Sequence, residues 1–149
     1  MMRRAVEEIE YEQMLLTRYS LARLRTVQEL DRSAYILLSR LQAQGPMTVG
    51  ELSAALQLDL STLQRQAAAA LRLGLVERAA DPAGGLARRI SLSPEGKERL
   101  AAVRAKNVDS VGRVMDGWPA EDVESFAGLL RRFNESIEML REEPWPRDS

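Results

Sequence analysis

The strongest constraint on the fold lies in residues 48–78, TVGELSAALQLDLSTLQRQAAAALRLGLVER, where start and stop signals for two helices follow one another almost without a linker. Thr48 and Glu51 have the spacing of a capping box. The hydroxyl accepts the backbone N–H at the third helical position, and the carboxylate reaches back to the Thr48 amide. Leu52, Ala55 and Leu56 give that first helix an apolar stripe. Gln57-Leu58-Asp59 breaks the pattern, and Asp59 is placed to cap a second helix from Leu60. Gly74 is placed for a left-handed stop, and residues 75–79 read as a short strand.

The second helix has two faces. Leu60, Leu63, Ala67, Ala70 and Leu71 recur at helical spacing and are expected to point inward. Ser61, Gln64, Arg65, Ala68 and Arg72 follow the same spacing on the other side, with Thr62 beside them. That outer face carries small residues, hydroxyls, amides and guanidiniums, and no acid. Such a face suits the major groove of DNA, where small residues allow close approach, Arg pairs with guanine and Gln with adenine. The plainer alternative is a helical hairpin with a solvated outer face.

The flanking segments support a larger plan. A helix is expected over 5–29, with Glu7, Glu8, Glu10 and Glu12 early and Arg18, Arg23 and Arg25 late, an order that complements the helix dipole. Asp31 caps the next helix, which Gly45-Pro46 stops, and Met47 is placed to staple the helix after it. After residue 79, Asp81-Pro82 and Gly84-Gly85 mark a turn, and Arg88-Arg89-Ile90-Ser91-Leu92 reads as a second strand. The two strands make a β-wing. Ser93-Pro94-Glu95 opens a long helix that Gly117-Trp118-Pro119 interrupts, and the last helix carries Phe126, Leu129, Leu130, Phe133, Ile137 and Leu140 on one face. Residues 142–149 read as a tail. The expected fold is mainly α with a small β-wing. A winged helix-turn-helix lobe over 31–92 sits within a single domain, 1–149, and helices 5–29 and 94–141 flank it. Those helices offer more apolar surface than so small a lobe covers, so a second copy of the chain is the expected partner.

At this point the residues suggest a family. LDLSTLQRQAAAALRLGLVER resembles the recognition helix and following strand of the MarR family of bacterial transcription regulators. ISLSPEGKE resembles that family's second wing strand running into its next helix. The likeness in layout covers nearly the whole chain, and the likeness in motif about residues 48–100. It implies a homodimer paired through the N- and C-terminal helices, bound to a palindromic double-stranded operator. It also implies repression, the family's common mode, with release by a small aromatic effector between the dimerisation helices and the lobe. Tyr11, Met14, Tyr19, Tyr35 and Trp118 are the candidates to line that site, with core packing as the alternative for each. The expected DNA contacts are Thr48, Ser61, Thr62, Gln64, Arg65, Arg72, Arg88 and Arg89. The wing departs from the family pattern, because the tip near Gly84, Gly85 and Leu86 has no charge where an acid and Arg are common. Arg89, opposite the buried face of Ile90, is the expected phosphate contact.

Composition narrows the other classes. There is no cysteine and no histidine, which removes thiol chemistry, the usual general base and the commonest metal ligand. No carboxylate pair or Gly-rich loop has catalytic spacing, so neither an enzyme nor a cofactor or metal site is expected. No run is apolar enough to span a bilayer and no leader pattern follows Met1, so the cytoplasm is the default. Net charge is −1, yet Arg65, Arg72, Arg78, Arg88 and Arg89 outnumber the acids around them. The alternative function is a winged-helix interaction module that does not read DNA.

Overall fold

Polar side chains set just ahead of apolar-periodic segments cap three of the six helices described for this chain, and glycines end several of them. The computed structural model describes residues 1–19, 30–80, 84 and 88–147. The order is α1 (Met2–Arg18), α2 (Arg32–Gln44), β1 (Met47–Thr48), α3 (Val49–Leu56), α4 (Leu60–Arg72), β2 (Val76–Ala79), β3 (Arg89–Leu92), α5 (Pro94–Val114) and α6 (Ala120–Arg141). The expected first helix begins at Met2, and its residues 20–29 lie outside the described residues, as do the wing-tip positions Gly85 and Leu86.

The Asp31 carboxylate accepts from Ala34 N at 2.7 Å, the Thr48 hydroxyl from Glu51 N at 3.0 Å, and the Ser93 hydroxyl from Gly96 N at 2.9 Å. Each cap satisfies an N–H that the helix itself leaves unpaired. Asp59 occupies the capping position of α4 but its side chain makes no capping bond. At the other end of α4 the stop is a Schellman motif. Gly74, at φ +73°, donates to Leu71 O at 3.1 Å, and Leu75 donates to Ala70 O at 3.0 Å.

The three strands form one antiparallel sheet in the order β1-β3-β2, with Met47 opposite Ile90 and Val76 opposite Leu92. Strand β1 was not expected. Met47 lies fully inside the core at 1% exposure, so the residue read as a helix staple also begins a sheet edge. Leu37, Leu38 and Leu41 of α2, Leu52 of α3, and Leu63, Ala67 and Ala70 of α4 pack with Leu75, Ile90, Leu100 and Val103 into a single core. Each buried Leu contributes about 1.5–3 kcal/mol. Leu60 corrects the expected inward stripe: it is 51% exposed. It stands at the edge of the stripe set by Leu63, Ala67 and Ala70, in the first turn of α4.

The terminal helices behave differently. Neither α1 nor α6 has a buried residue. Ile9, Leu16, Phe126, Leu129, Leu130, Phe133 and Leu140 are exposed, as are Val108, Val111 and Val114 at the far end of α5. Their helical spacing is as expected, but among the described residues nothing buries them.

One junction fixes where α5 leaves the lobe. The Ser93 hydroxyl donates to Gly74 O at 2.5 Å while it caps α5, and Ser93 N donates to Leu75 O at 3.1 Å. Gly96 lies so close that an added Cβ would stand 1.9 Å from Leu75 O, which is backbone and cannot swing away. Gly96→Ala is therefore expected to destabilise the fold by ~1–3 kcal/mol. Gly128→Ala, on the far side of α6 from Phe126 and with open space around it, should stabilise by ~0.5–1 kcal/mol. Chemical denaturation of both variants checks this; a neutral Gly96→Ala contradicts the close approach.

Candidate nucleic-acid interface

The turn between α3 and α4 decides which way α4 faces. Gln57 adopts the left-handed conformation at φ +50°, and Leu58 N donates to Ser53 O at 3.1 Å. The Ser53 hydroxyl then donates to Leu58 O at 2.6 Å, and Leu58 packs against the core. With the turn held this way, Leu63, Ala67 and Ala70 go inward. Ser61, Gln64, Arg65 and Arg72 are exposed, and Thr62 and Ala68 are half-buried. The Arg65 guanidinium lies 3.4 Å from the Thr62 hydroxyl, which leaves most of its five donors available. Five of the eight expected contacts thus lie on one helix, in the disposition the spacing called for.

The wing residues divide. Arg88 is exposed just before β3. Arg89, half-buried within β3, lies 3.2 Å from the Glu51 carboxylate and donates to Pro46 O at 3.3 Å. Glu51 therefore completes only half of the expected capping box. Its N–H is capped by Thr48, and its carboxylate turns to Arg89, a charge-assisted partner stronger than the Thr48 amide. The Thr48 hydroxyl is likewise occupied by its cap. The geometry makes Arg88 the freer cation at the wing and Arg89 a tie between β3 and α3. Gly84, at φ +73°, is exposed at the turn.

The five residues considered for an effector fall in three places: Tyr11, Met14 and Tyr19 on α1 and its C-cap, Tyr35 on α2, and Trp118 between α5 and α6. Tyr35 packs against the lobe core, Trp118 stands edge-on to Phe126 at 6.1 Å, Tyr11 sits in an open groove with Arg4 and Glu7, and Tyr19 is exposed at the end of α1. Met14 lies exposed on α1. A cavity of about 660 Å³ between α2, α5 and α6 is lined by none of them; Gln42, Arg104, Asn134 and Trp145 are among its walls.

The segment after α6, read as a tail, folds back on the lobe. Arg40 of α2 is buried, lies 4.8 Å from the Trp145 ring centre and donates to Pro144 O at 3.4 Å. Gln57 accepts from Arg141 at 3.3 Å and donates to the Glu143 carboxylate. Glu138 accepts from Trp145 N at 3.1 Å and pairs with Arg147, whose guanidinium holds the carboxyl below the usual range. None of these contacts was expected from the sequence, where Gln57 figures only in the break between two helices and residues 142–149 only as a tail. Their partners lie up to 104 positions apart, and no local pattern signals them.

Among the described residues no cluster of acids could hold a metal ion, and no helix is long and apolar enough to cross a membrane. Residues 28–85 match the model of the MarR family. The chain is 35% identical over 135 residues to the uncharacterized HTH-type transcriptional regulator YxaD of Bacillus subtilis (strain 168), covering 89% of this chain and 94% of that protein. Its fold is similar to that of a MarR family protein from Bacillus stearothermophilus, with a TM-score of 0.70 and 26% identity over 88% of this chain and 96% of that one. It is also similar to Streptococcus pneumoniae FabT, solved in complex with DNA, with a TM-score of 0.65 and 16% identity over 94% of this chain and 99% of that one. With a relative this similar along nearly its full length and a winged helix-turn-helix lobe at its centre, the chain belongs to the MarR family of transcriptional regulators.

Proposed function

We propose that the chain is a homodimeric, sequence-specific DNA-binding repressor, released from its operator by a small ligand. The observation that carries the reading is the outer face of α4. Ser61, Gln64, Arg65 and Arg72 are exposed together, without an acid among them, on a helix whose other side is locked into the core. In a major groove, Gln64 and Arg65 have the donors to read adenine and guanine, and exposed Leu60 can meet a thymine methyl. Thr62 supports Arg65, and Arg72 and Arg88 are placed for phosphates. The similarity to FabT, which was solved with DNA, supports the same use of the fold. An interaction module would gain from a broad apolar or acidic patch on this face, but within α4 only Leu60 and half-buried Ala68 are apolar there and no residue is acidic.

The unpartnered faces of α1, α5 and α6 support dimerisation: Phe126, Leu129, Leu130 and Phe133 together expose far more apolar surface than a scattered residue does. In this reading residues 31–92 bind DNA and the flanking helices pair. Two copies related by a two-fold axis present two α4 helices to half-sites about one helical turn apart. Repression follows from occupying the operator. Ligand control is supported by composition, since a chain without Cys or His has no thiol to oxidise and no imidazole to protonate. Tyr11, Met14, Tyr19, Tyr35 and Trp118 form a single effector site only where a partner subunit draws them together. The 660 Å³ cavity has the volume of a small-molecule site within one chain.

Light scattering at micromolar concentration is expected to give twice the 16.7 kDa chain mass. A folded protein that scatters as a monomer contradicts the dimer. Arg65→Ala is expected to lose ~1–3 kcal/mol of discrimination at one base pair per half-site. Competition between operator and random DNA measures it, and an unchanged ratio removes Arg65 as a base reader.

A further inference from the structure

The contacts that bind the C-terminal segment to the lobe are the least expected feature of the chain. Helix α6 has no buried residue, and among the described residues the hydrogen bonds that tie it and the chain after it to α2 and the α3–α4 turn lie at its C-terminal end. There the chain turns through Glu142, at φ +56°, and runs back across α2 and the α3–α4 turn. Two residues of the lobe receive it. Arg40 offers its guanidinium face to Trp145 and one N–H to Pro144 O, while two more of its donors are held by Gln44 at 3.1 and 2.8 Å. Gln57 sits in the turn that aims α4, and both ends of its amide are taken, by Arg141 and by Glu143. On the helix side, Glu138 fixes the returning segment through Trp145 N and Arg147.

We propose that residues 142–147 form a strap that sets the angle between the dimerisation helix α6 and the recognition helix α4, and so sets the half-site spacing the dimer accepts. Trp145 and Arg40 act here as positioning residues, since neither lies on the DNA-facing side of α4. The lever is long enough to matter. At 1.5 Å per residue the 22 residues of α6 span about 33 Å. A tilt of about 6° at one end moves the other by about 3.4 Å, one base-pair step. Between the lobe and the end of α6, a partly desolvated cation–π contact and two hydrogen bonds at the Gln57 amide, one accepted from Arg141 and one donated to Glu143, resist that tilt. Without them, among the described residues, the lobe is tied to the dimerisation region through the α5 junction.

This inference rests on the reading of the chain as a two-fold DNA binder. Its test uses the full-length protein and the palindromic duplex enriched from a random pool. Binding is compared on that duplex, on versions with the half-sites one base pair closer or farther apart, and on a single half-site. The parent is expected to favour its selected spacing. Trp145→Ala should lower that preference about three- to tenfold while changing single half-site affinity less than twofold, because the α4 face is untouched. Trp145→Phe, which keeps a ring over Arg40, should restore most of the preference. A spacing-selective parent with an equally selective Trp145→Ala overturns the strap alone. A parent indifferent to spacing overturns the two-fold reading, and the strap falls with it. Equal losses on every duplex, the single half-site included, show a merely structural role and also overturn the strap.

Discussion

The structure depends most on the junction at Ser93. One hydroxyl donates to Gly74 O at the end of α4 and accepts from Gly96 N at the start of α5. The backbone N–H of the same residue reaches Leu75 O, ahead of β2. Four elements therefore meet at a point where backbone approaches backbone so closely that only glycine fits at residue 96. Buried polar groups satisfied on every side are directional in a way that apolar packing is not. The core built from Leu37, Leu52, Leu63 and Leu100 supplies most of the stabilisation, but the junction gives α5 one direction out of it.

That direction sets how two surfaces of the chain lie relative to one another. The outer face of α4 is polar and free of acid, and the faces of α1, α5 and α6 are apolar and unpartnered. The α5 junction joins them on one side. The returning C-terminal segment joins them on the other, through Arg40 and Gln57. A helix pair tied at two points resists a change of angle that one tie allows, which fits the proposed two-fold DNA binder. The Arg89–Glu51 pair works at smaller scale, bracing the base of the wing against the start of α3.

The local devices were legible in the sequence, and the long-range ones were not. Asp31, Thr48, Ser93 and Gly74 act within a few residues of themselves, so their spacing announces them, and all four do what that spacing predicts. The two faces of α4 could be read from periodicity except at Leu60, where a position at the helix start and the stripe's edge escapes the core. Glu51 shows the limit. Its local signal pointed to the Thr48 amide, but a guanidinium 38 residues away is the stronger partner. Strand β1 is two residues long and exists only because β3 lies beside it. The strap joins residues 40 and 57 to residues 141–145, and its polar, proline-containing sequence has no periodicity to distinguish it from a free tail.

The central claim is that two copies of this chain present two α4 helices to symmetric half-sites. Selection of bound duplexes from a random pool tests it most directly, because it reports class and symmetry together. The account predicts enrichment of a palindrome whose half-sites lie about one helical turn apart. Enrichment of a single asymmetric site, or of no sequence at all, would contradict it.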